Sequence, residues 1–471
     1  MADLPFYCQS GGSNLNAGST TSNTALVTYT NGNWNGSNTF TPAGGANPIT
    51  DGVAIGMWIS CYLDGASAPT GFIARVTAVS STTITTSGTA QAGTAPTSGA
   101  TGRTLKVGGA WLGPNGASGF PLSAFSDFGD CIDTSGNRAR VYMKNDATYS
   151  ISSVILHAGS QWAVEGYSSS PGDGGLATID GGANAIVLLS TSSSNAILEN
   201  LIFSSTAASG TSNGLSLGGA RNLLKRVRVT GTRGSGFSVT GTWKLHTCEA
   251  WGCNSANSAN IGAFHNTGTL EMENCTSHVN TGSNVDGIYN TGSLTLDGCV
   301  SDSNGRHGIN STANVFTMRG GGCYGNTQHG ILISGNSLCA SLMNVILSDN
   351  GTTSSHYPLN VTGTNPWVQT TNLAIFSNGD GATVVTFTNP NGGKMVGTIT
   401  CTTQPFSDPA NGNFVAATSE VKGLGYGSYL QDASKYSATT VGYPDVGIQH
   451  QEAAASGGPI GNSFRGGFCN G

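Results

Sequence analysis

The chain has 471 residues, of which only 18 are Lys or Arg and 24 are Asp or Glu, giving a formal net charge of −6. So few basic residues argue against nucleic-acid binding, and 16 Phe, 13 Tyr and 7 Trp argue against intrinsic disorder. No apolar run approaches the roughly 18 residues of a membrane-spanning helix. Glycine, at 71 residues, has about twice its usual share, which favours an all-β protein with many tight turns.

The N-terminal hundred residues predict short strands. Residues 6–18 contain an apolar stretch followed by a Gly- and Asn-rich loop. Residues 57–61, 72–79 and 82–86 alternate as strands do and are separated by Gly/Pro turns. We therefore expect a small β-rich insertion or accessory domain over 20–106. The chain opens on Met1 with no basic and apolar leader segment, so synthesis without a signal peptide is expected.

A four-residue signature recurs between residues 198 and 345. It consists of an apolar residue, any residue, a small or polar residue, and an apolar residue or Cys, with successive starts 26, 21, 27, 24, 22 and 24 residues apart. Units of about 24 residues are too short to bury a core alone, so stacked units are expected, with parallel strands around a shared apolar column. The instances begin at Leu198, Leu224, Leu245, Met272, Leu296, Met318 and Leu342.

A second register of glycines accompanies the first. Each glycine precedes an apolar or aromatic residue, and each is expected to adopt a positive φ at a corner of the coil. The instances are Gly214, Gly236, Gly262, Gly287, Gly308 and Gly330.

The chain contains eleven cysteines, an odd number, so they cannot all pair within one chain. Reduced Cys commonly behaves as a small core residue. We expect most of these thiols to be buried, with Cys248, Cys275 and Cys299 stacked above one another because all three occupy the fourth signature position.

These repeats resemble the right-handed parallel β-helix family, which includes pectate-lyase-like enzymes and phage tailspike and fibre proteins. The resemblance covers about residues 140–400. It implies the following division of the chain: an N-terminal cap strand over 1–19, the β-rich accessory domain over 20–106, a parallel β-helix over 107–400, a closing segment over 401–450 and a Gly-rich tail over 451–471.

In such a fold, the residue after each signature start points outward, and adjacent turns bring these residues close together. Glu273 and Asp297 become neighbouring carboxylates, the arrangement that retaining glycosidases use for acid/base and nucleophilic roles. The alternative is a solvated ladder of alternating charges. The complete column is Glu199, Lys225, His246, Glu273, Asp297, Arg319 and Met343.

The residue before each register glycine gives a second column: Asn213, Ser235, Ile261, Asp286, His307 and His329. Asp286 and His307 are candidates for an acid/base couple, and with His329 for a metal site. The alternative, which the sequence favours, is a row of polar turn residues. His307-Gly308 and His329-Gly330 match only part of the Gly-His-Gly element of polygalacturonases, and the paired Asp motif and Arg-x-Lys that accompany it are missing. No cofactor and no metal are therefore expected.

The resemblance implies a bacteriophage virion protein, most simply a homotrimeric tailspike or fibre at the virion surface that recognises a host glycan and contacts other virion proteins. A capsid-surface decoration or head-fibre protein is one alternative. A polysaccharide lyase or hydrolase using adjacent carboxylates is another, and the missing motifs make an enzyme the less favoured interpretation. Neither nucleic acid nor membrane insertion is expected.

Overall fold

The computed structural model describes residues 3–12, 20–35, 38–63, 72–87, 96–112, 138–157, 163–312, 315–335, 339–351, 355–362, 367–377, 385–387, 394–411, 413–418 and 421. Within them the chain forms a parallel β-solenoid, and an antiparallel β-barrel follows the first strand of this solenoid in sequence. The Gly-rich tail and most of the predicted closing segment lie outside these residues. No helix within the described residues has the length and apolar character needed to span a membrane.

Three parallel sheets run along the solenoid. Sheet 1 begins with Asp3–Gln9, which pairs with both Trp111–Leu112 and Arg138–Lys144. The N-terminal strand is therefore continuous with the repeats. The remaining strands of sheet 1 are Ala163–Tyr167, Ile197–Ser204, Asn222–Thr230, Thr242–His246, Thr269–Glu273, Ser293–Asp297, Val315–Arg319, Cys339–Ser348, Trp367–Phe376 and Lys394–Thr400.

Sheet 2 follows sheet 1 after a sharp corner, and the longest strands continue through both sheets. Its separate strands are Thr148–Ser150, Ala177–Asp180, Glu249–Trp251, Thr276–His278, Val300–Asp302 and Gly322–Tyr324. Sheet 3 has ten strands in the described residues. They are Ile155–His157, Leu189–Thr191, Leu215–Leu217, Phe237–Val239, Ile261–Asn266, Val285–Asn290, Ile309–Ser311, Ile331–Ile333, Leu359–Val361 and Val385–Phe387.

The predicted repeat of about 24 residues is confirmed, and its signature lies at the corner between sheets 1 and 2, a position that the sequence analysis did not assign to it. All seven starting residues are buried, and all seven third residues have a positive φ between 52° and 65°. Asparagine and glycine adopt this left-handed conformation at the lowest cost, which explains why Asn200, Asn274, Gly298, Gly320 and Asn344 occupy five of the seven corners.

The prediction for the second register of glycines is wrong in two respects. None of the six has a positive φ. They are required by space instead, since a Cβ at Gly236 would lie 2.8 Å from the Cys253 sulfur and one at Gly308 would lie 2.6 Å from the Gly330 carbonyl. The register was also shifted at one turn: Phe237 pairs with Phe264, so Ala263 rather than Gly262 occupies this position.

The cysteine column is confirmed. Cys248, Cys275 and Cys299 are buried with free thiols. The Cys248 amide donates to the Cys275 sulfur at 3.4 Å, and the Cys275 amide donates to the Cys299 sulfur at 3.5 Å. Burial raises the pKa of the Cys275 and Cys299 thiols, so these side chains serve as apolar packing groups.

The predicted β-rich region contains a closed six-stranded antiparallel barrel. Its core includes Trp34, Phe40 and Phe72, with the Trp34 and Phe72 rings 5.1 Å apart. Trp58 instead joins the solenoid core against Phe6. The strands, in spatial order, are Val27–Asn35, Thr39–Thr41, Ile84–Thr86, Phe72–Val79, Trp58–Leu63 and Ala100–Val107.

A C-terminal hairpin, formed by Phe406–Asp408 and Asn413–Ala416 around the 3-10 turn Pro409–Asn411, packs on the outer surface of sheet 2. Its Phe406 and Phe414 rings contact Tyr324, with centroids 6.5 and 6.0 Å away.

Candidate functional site

The outward column predicted on sheet 1 is present in full. Each of its residues pairs in register with the next, from Glu199 and Lys225 to Arg319 and Met343, and all are partly exposed. The solenoid therefore displays one outward side chain per turn in a continuous column. Successive side chains in the column are about 4.8 Å apart, which is the distance between neighbouring strands.

The two candidate carboxylates lie next to each other. Glu273 pairs with Asp297, as predicted. Each is flanked by a basic side chain: His246 Nε2 lies 3.7 Å from a Glu273 oxygen, and Arg319 follows Asp297 in register. The arrangement combines the predicted carboxylate pair with the alternative interpretation of an alternating charge ladder.

Asp286, His307 and His329 also come together, but as a buried array. Asp286 has no exposed surface and is held by two hydrogen bonds from the Arg306 guanidinium and one of 3.0 Å from Asn310. Burial raises the pKa of the Asp286 carboxyl, and these hydrogen bonds oppose that effect. The predicted column contained one error, since Gly262 rather than Ile261 pairs with Asp286.

The two histidines stack with ring centroids 5.0 Å apart, and His329 stacks in turn on Tyr357. His307 Nδ1 accepts the His329 amide proton, and His329 Nδ1 accepts the Tyr357 amide proton. Both Nδ1 atoms are therefore unprotonated and both rings are uncharged. With Asp286 occupied by Arg306 and both Nδ1 atoms by amides, the residues described by the structure offer no group suited to a metal ion here.

Burial lowers the pKa of His307 to about 2 and that of His329 to about 4. The unfolded chain takes up these protons near pH 6.5 and the folded chain does not, so stability falls as the pH drops below about 6.5. We expect His307 and His329 each to account for a loss of about 2 kcal/mol between pH 8 and pH 5, because both rings stay largely neutral in the folded chain at pH 5. Urea unfolding at both pH values measures this loss.

His307→Asn keeps an acceptor near the Nδ1 position and should remove about 2 kcal/mol of the acid sensitivity. His278→Asn is the control of opposite sign. A hydrogen bond to Asp302 raises the pKa of His278, so this residue stabilises the fold at low pH, and its removal should increase the acid loss. An unchanged pH dependence in His307→Asn would contradict the assignment.

The sequence analysis missed a second pair of carboxylates. Glu165 and Glu199 pair in register at the start of the same outward column. One Arg140 nitrogen donates to both, at 2.6 and 3.1 Å, so the two accepting oxygens can be no farther apart than these distances combined. Burial raises the pKa of Glu165, which Arg140 opposes. The only sequence signal for this pair was the acidic residue Glu165 itself. It lies 34 residues before Glu199, so this turn of the solenoid is longer than the repeat of about 24 residues that the sequence analysis followed.

A histidine–aspartate pair on sheet 2 was also missed. His278 Nδ1 lies 2.6 Å from an oxygen of Asp302, which is buried. Trp251 precedes His278 in register and is 45% exposed. This column follows each signature start by six residues, so its register was visible in the sequence. What the sequence did not show is that a Trp, a His and an Asp at these positions form more than the ordinary polar face of a strand.

Comparisons with known proteins return neither a matching family model nor a curated relative. Among solved structures, the Azotobacter vinelandii mannuronan C-5 epimerase AlgE6 A-module is similar over 60% of this chain and 95% of that one, with 14% identity and a TM-score of 0.26. The gp54 tailspike of Acinetobacter baumannii phage AP22, in complex with a capsular saccharide, is similar over 79% and 64%, with 11% identity and a TM-score of 0.25.

The gp49 tailspike of Pseudomonas phage LKA1 is similar over 86% of this chain and 72% of its own, with 13% identity and a TM-score of 0.23. At these identities and TM-scores, the similarities add nothing to what the strand pairing itself shows about the fold.

Proposed function

We propose that this chain is a surface appendage of a bacteriophage virion, a tailspike or fibre that binds a host-surface glycan. The observation that carries the proposal is the in-register column of outward polar side chains on the solenoid. A glycan chain is itself a linear array of hydroxyl-bearing rings, and columns of donors and acceptors at regular spacing suit such a ligand. A homotrimer contacting other virion proteins is part of the proposal.

The continuous core and the hydrogen bonding between turns support an extracellular role. The main core cluster extends from Phe6 to Ile375 and includes residues from every part of the repeat region. Because each turn is hydrogen-bonded to the next, few backbone segments are available for local opening, which limits proteolysis.

Gold-labelled antibodies against the chain, applied to particles purified from its source, test the location by electron microscopy. Label on the particle surface is expected, at the tail for a tailspike and over the head for a decoration protein. Label confined to particle-free material would contradict a virion role. Light scattering of the purified chain measures the oligomer, with three copies expected.

A second candidate function is cleavage of the bound polysaccharide by Glu273 and Asp297, favoured by their direct pairing. Glu273→Gln and Asp297→Asn, together and alone, should abolish depolymerisation while leaving binding in place. Depolymerisation that survives the double substitution would exclude these two residues as catalysts.

A further inference from the structure

Sheet 2 carries a short outward row that the columns on sheet 1 do not include. Trp251, His278 and Asp302 occupy equivalent positions on three successive strands, each paired with the next. Tyr324 follows as the fourth member and lies under the C-terminal hairpin. The part of the row from the exposed Trp251 indole to Tyr324, which lies beside Phe406 and Phe414, is called the shelf below.

The chemistry of the shelf is specific. Asp302 is 1% exposed, and one of its oxygens has no hydrogen-bond partner in the described residues. The other oxygen lies 2.6 Å from His278 Nδ1, and this hydrogen bond raises the pKa of the imidazole. Nδ1 is thereby fixed as the donor to Asp302, and Nε2 is left for a ligand because the His278 side chain is 36% exposed.

We propose that Trp251, His278 and Asp302 form a binding subsite for an uncharged pyranose ring, with Asp302 acting as a positioning residue for His278. The inference rests on the proposed glycan-binding function and locates one sugar-binding position on the outer surface of sheet 2. The indole offers a flat apolar surface of the kind that packs against the C–H face of a sugar, and the imidazolium Nε2–H donates to a ring hydroxyl.

The electrostatics favour an uncharged ring over a uronate. Beside Trp251, Glu249 on the same strand pairs at 2.6 Å with Arg228 on the preceding strand. His278 and Asp302 are likewise paired, so the cationic groups are already neutralised. A ligand carboxylate would lie near two carboxylates without gaining a free cation.

An array of bacterial capsular and O-antigen polysaccharides, probed with the full-length chain, tests the subsite. We expect the wild-type chain to bind at least one polysaccharide with uncharged rings and Trp251→Ala to bind it at least about tenfold more weakly. Trp367→Ala is the matched control, since Trp367 is 56% exposed but pairs with Cys339 rather than with an ionisable pair. It should bind as the wild type does.

The pH dependence separates positioning from folding. Wild-type affinity should fall as the pH rises through the pKa of His278, because the charged Nε2–H donor is lost. In Asp302→Asn the fall should occur at lower pH, and NMR titration of the His278 ring should shift with it. Binding that survives Trp251→Ala would overturn the subsite while leaving glycan binding in place. A wild-type chain that binds no member of the array would overturn both.

Discussion

Replacing Asn304 by Leu is expected to destabilise the chain by about 4 kcal/mol, because it breaks a buried asparagine ladder at its centre. The Asn304 side-chain amide accepts a hydrogen bond of 2.7 Å from Asn280 and donates one of 2.8 Å to Asn326, which donates at 2.8 Å to Asn350. All four side chains are at most 1% exposed.

The expected size follows from what the substitution leaves behind. Leucine has the branched shape of asparagine but no polar side-chain atoms. The Asn280 side-chain N–H therefore loses its acceptor on residue 304, and Ser301 Oγ and Asn326 Oδ1 each lose the N–H that residue 304 donated to them. Each buried polar group left short of a partner costs about 1–3 kcal/mol. Residual hydrogen bonds, such as that from the Asn304 backbone amide to Asn326, keep the total below the sum of complete losses.

Urea unfolding followed by far-UV circular dichroism measures the loss. Asn145→Leu is the matched control, because Asn145 is exposed in the bend that follows Arg138–Lys144 and its φ is not positive. The effect of this control should stay below about 0.5 kcal/mol. Equal stability of the two variants would show that the ladder does not contribute to the fold.

The inward orientation of the ladder asparagines could not be predicted from the sequence. Asn280, Asn304, Asn326 and Asn350 are spaced by 24, 22 and 24 residues, the same period as the signature. The signal was present, but asparagine in a Gly-rich chain is ordinarily a turn residue, and only the closed coil shows that these amides face inward to satisfy one another.

The same distinction explains the other successes and failures. Outward and inward positions at Glu273, Asp297 and the cysteine column followed from strand alternation, which is a local rule. The shift at Ile261 arose because the loop before that strand has extra residues, so counting from a glycine lost the register. The pairings Arg140–Glu199 and His278–Asp302 join residues 59 and 24 positions apart, and only the lateral stacking of turns brings them together.

Arg140→Met is expected to destabilise the chain by about 3 kcal/mol at pH 7, because it leaves two adjacent carboxylates without their shared cation. The Glu165 and Glu199 side chains are 8% and 20% exposed, so water screens their repulsion poorly. Methionine keeps most of the arginine stem's packing, which isolates the loss of charge. Lys244→Met is the surface control, since Lys244 and Glu271 are 4.0 Å apart and more than half exposed, and its effect should be under about 0.5 kcal/mol.

The pH dependence of Arg140→Met identifies the cause. Burial already raises the pKa of Glu165, and removing Arg140 raises it further above the value of about 4.3 in the unfolded chain. A carboxyl with a raised folded pKa destabilises the fold when ionised, and this penalty disappears as the pH falls through that folded pKa. The difference in unfolding free energy between Arg140→Met and the wild type should therefore shrink from pH 7 to pH 5.

Adding Glu165→Gln to Arg140→Met should restore most of the stability at pH 7, because only one carboxylate then remains. A difference that stays constant with pH, and that Glu165→Gln does not relieve, would assign the loss to packing around the arginine stem instead of to the charges.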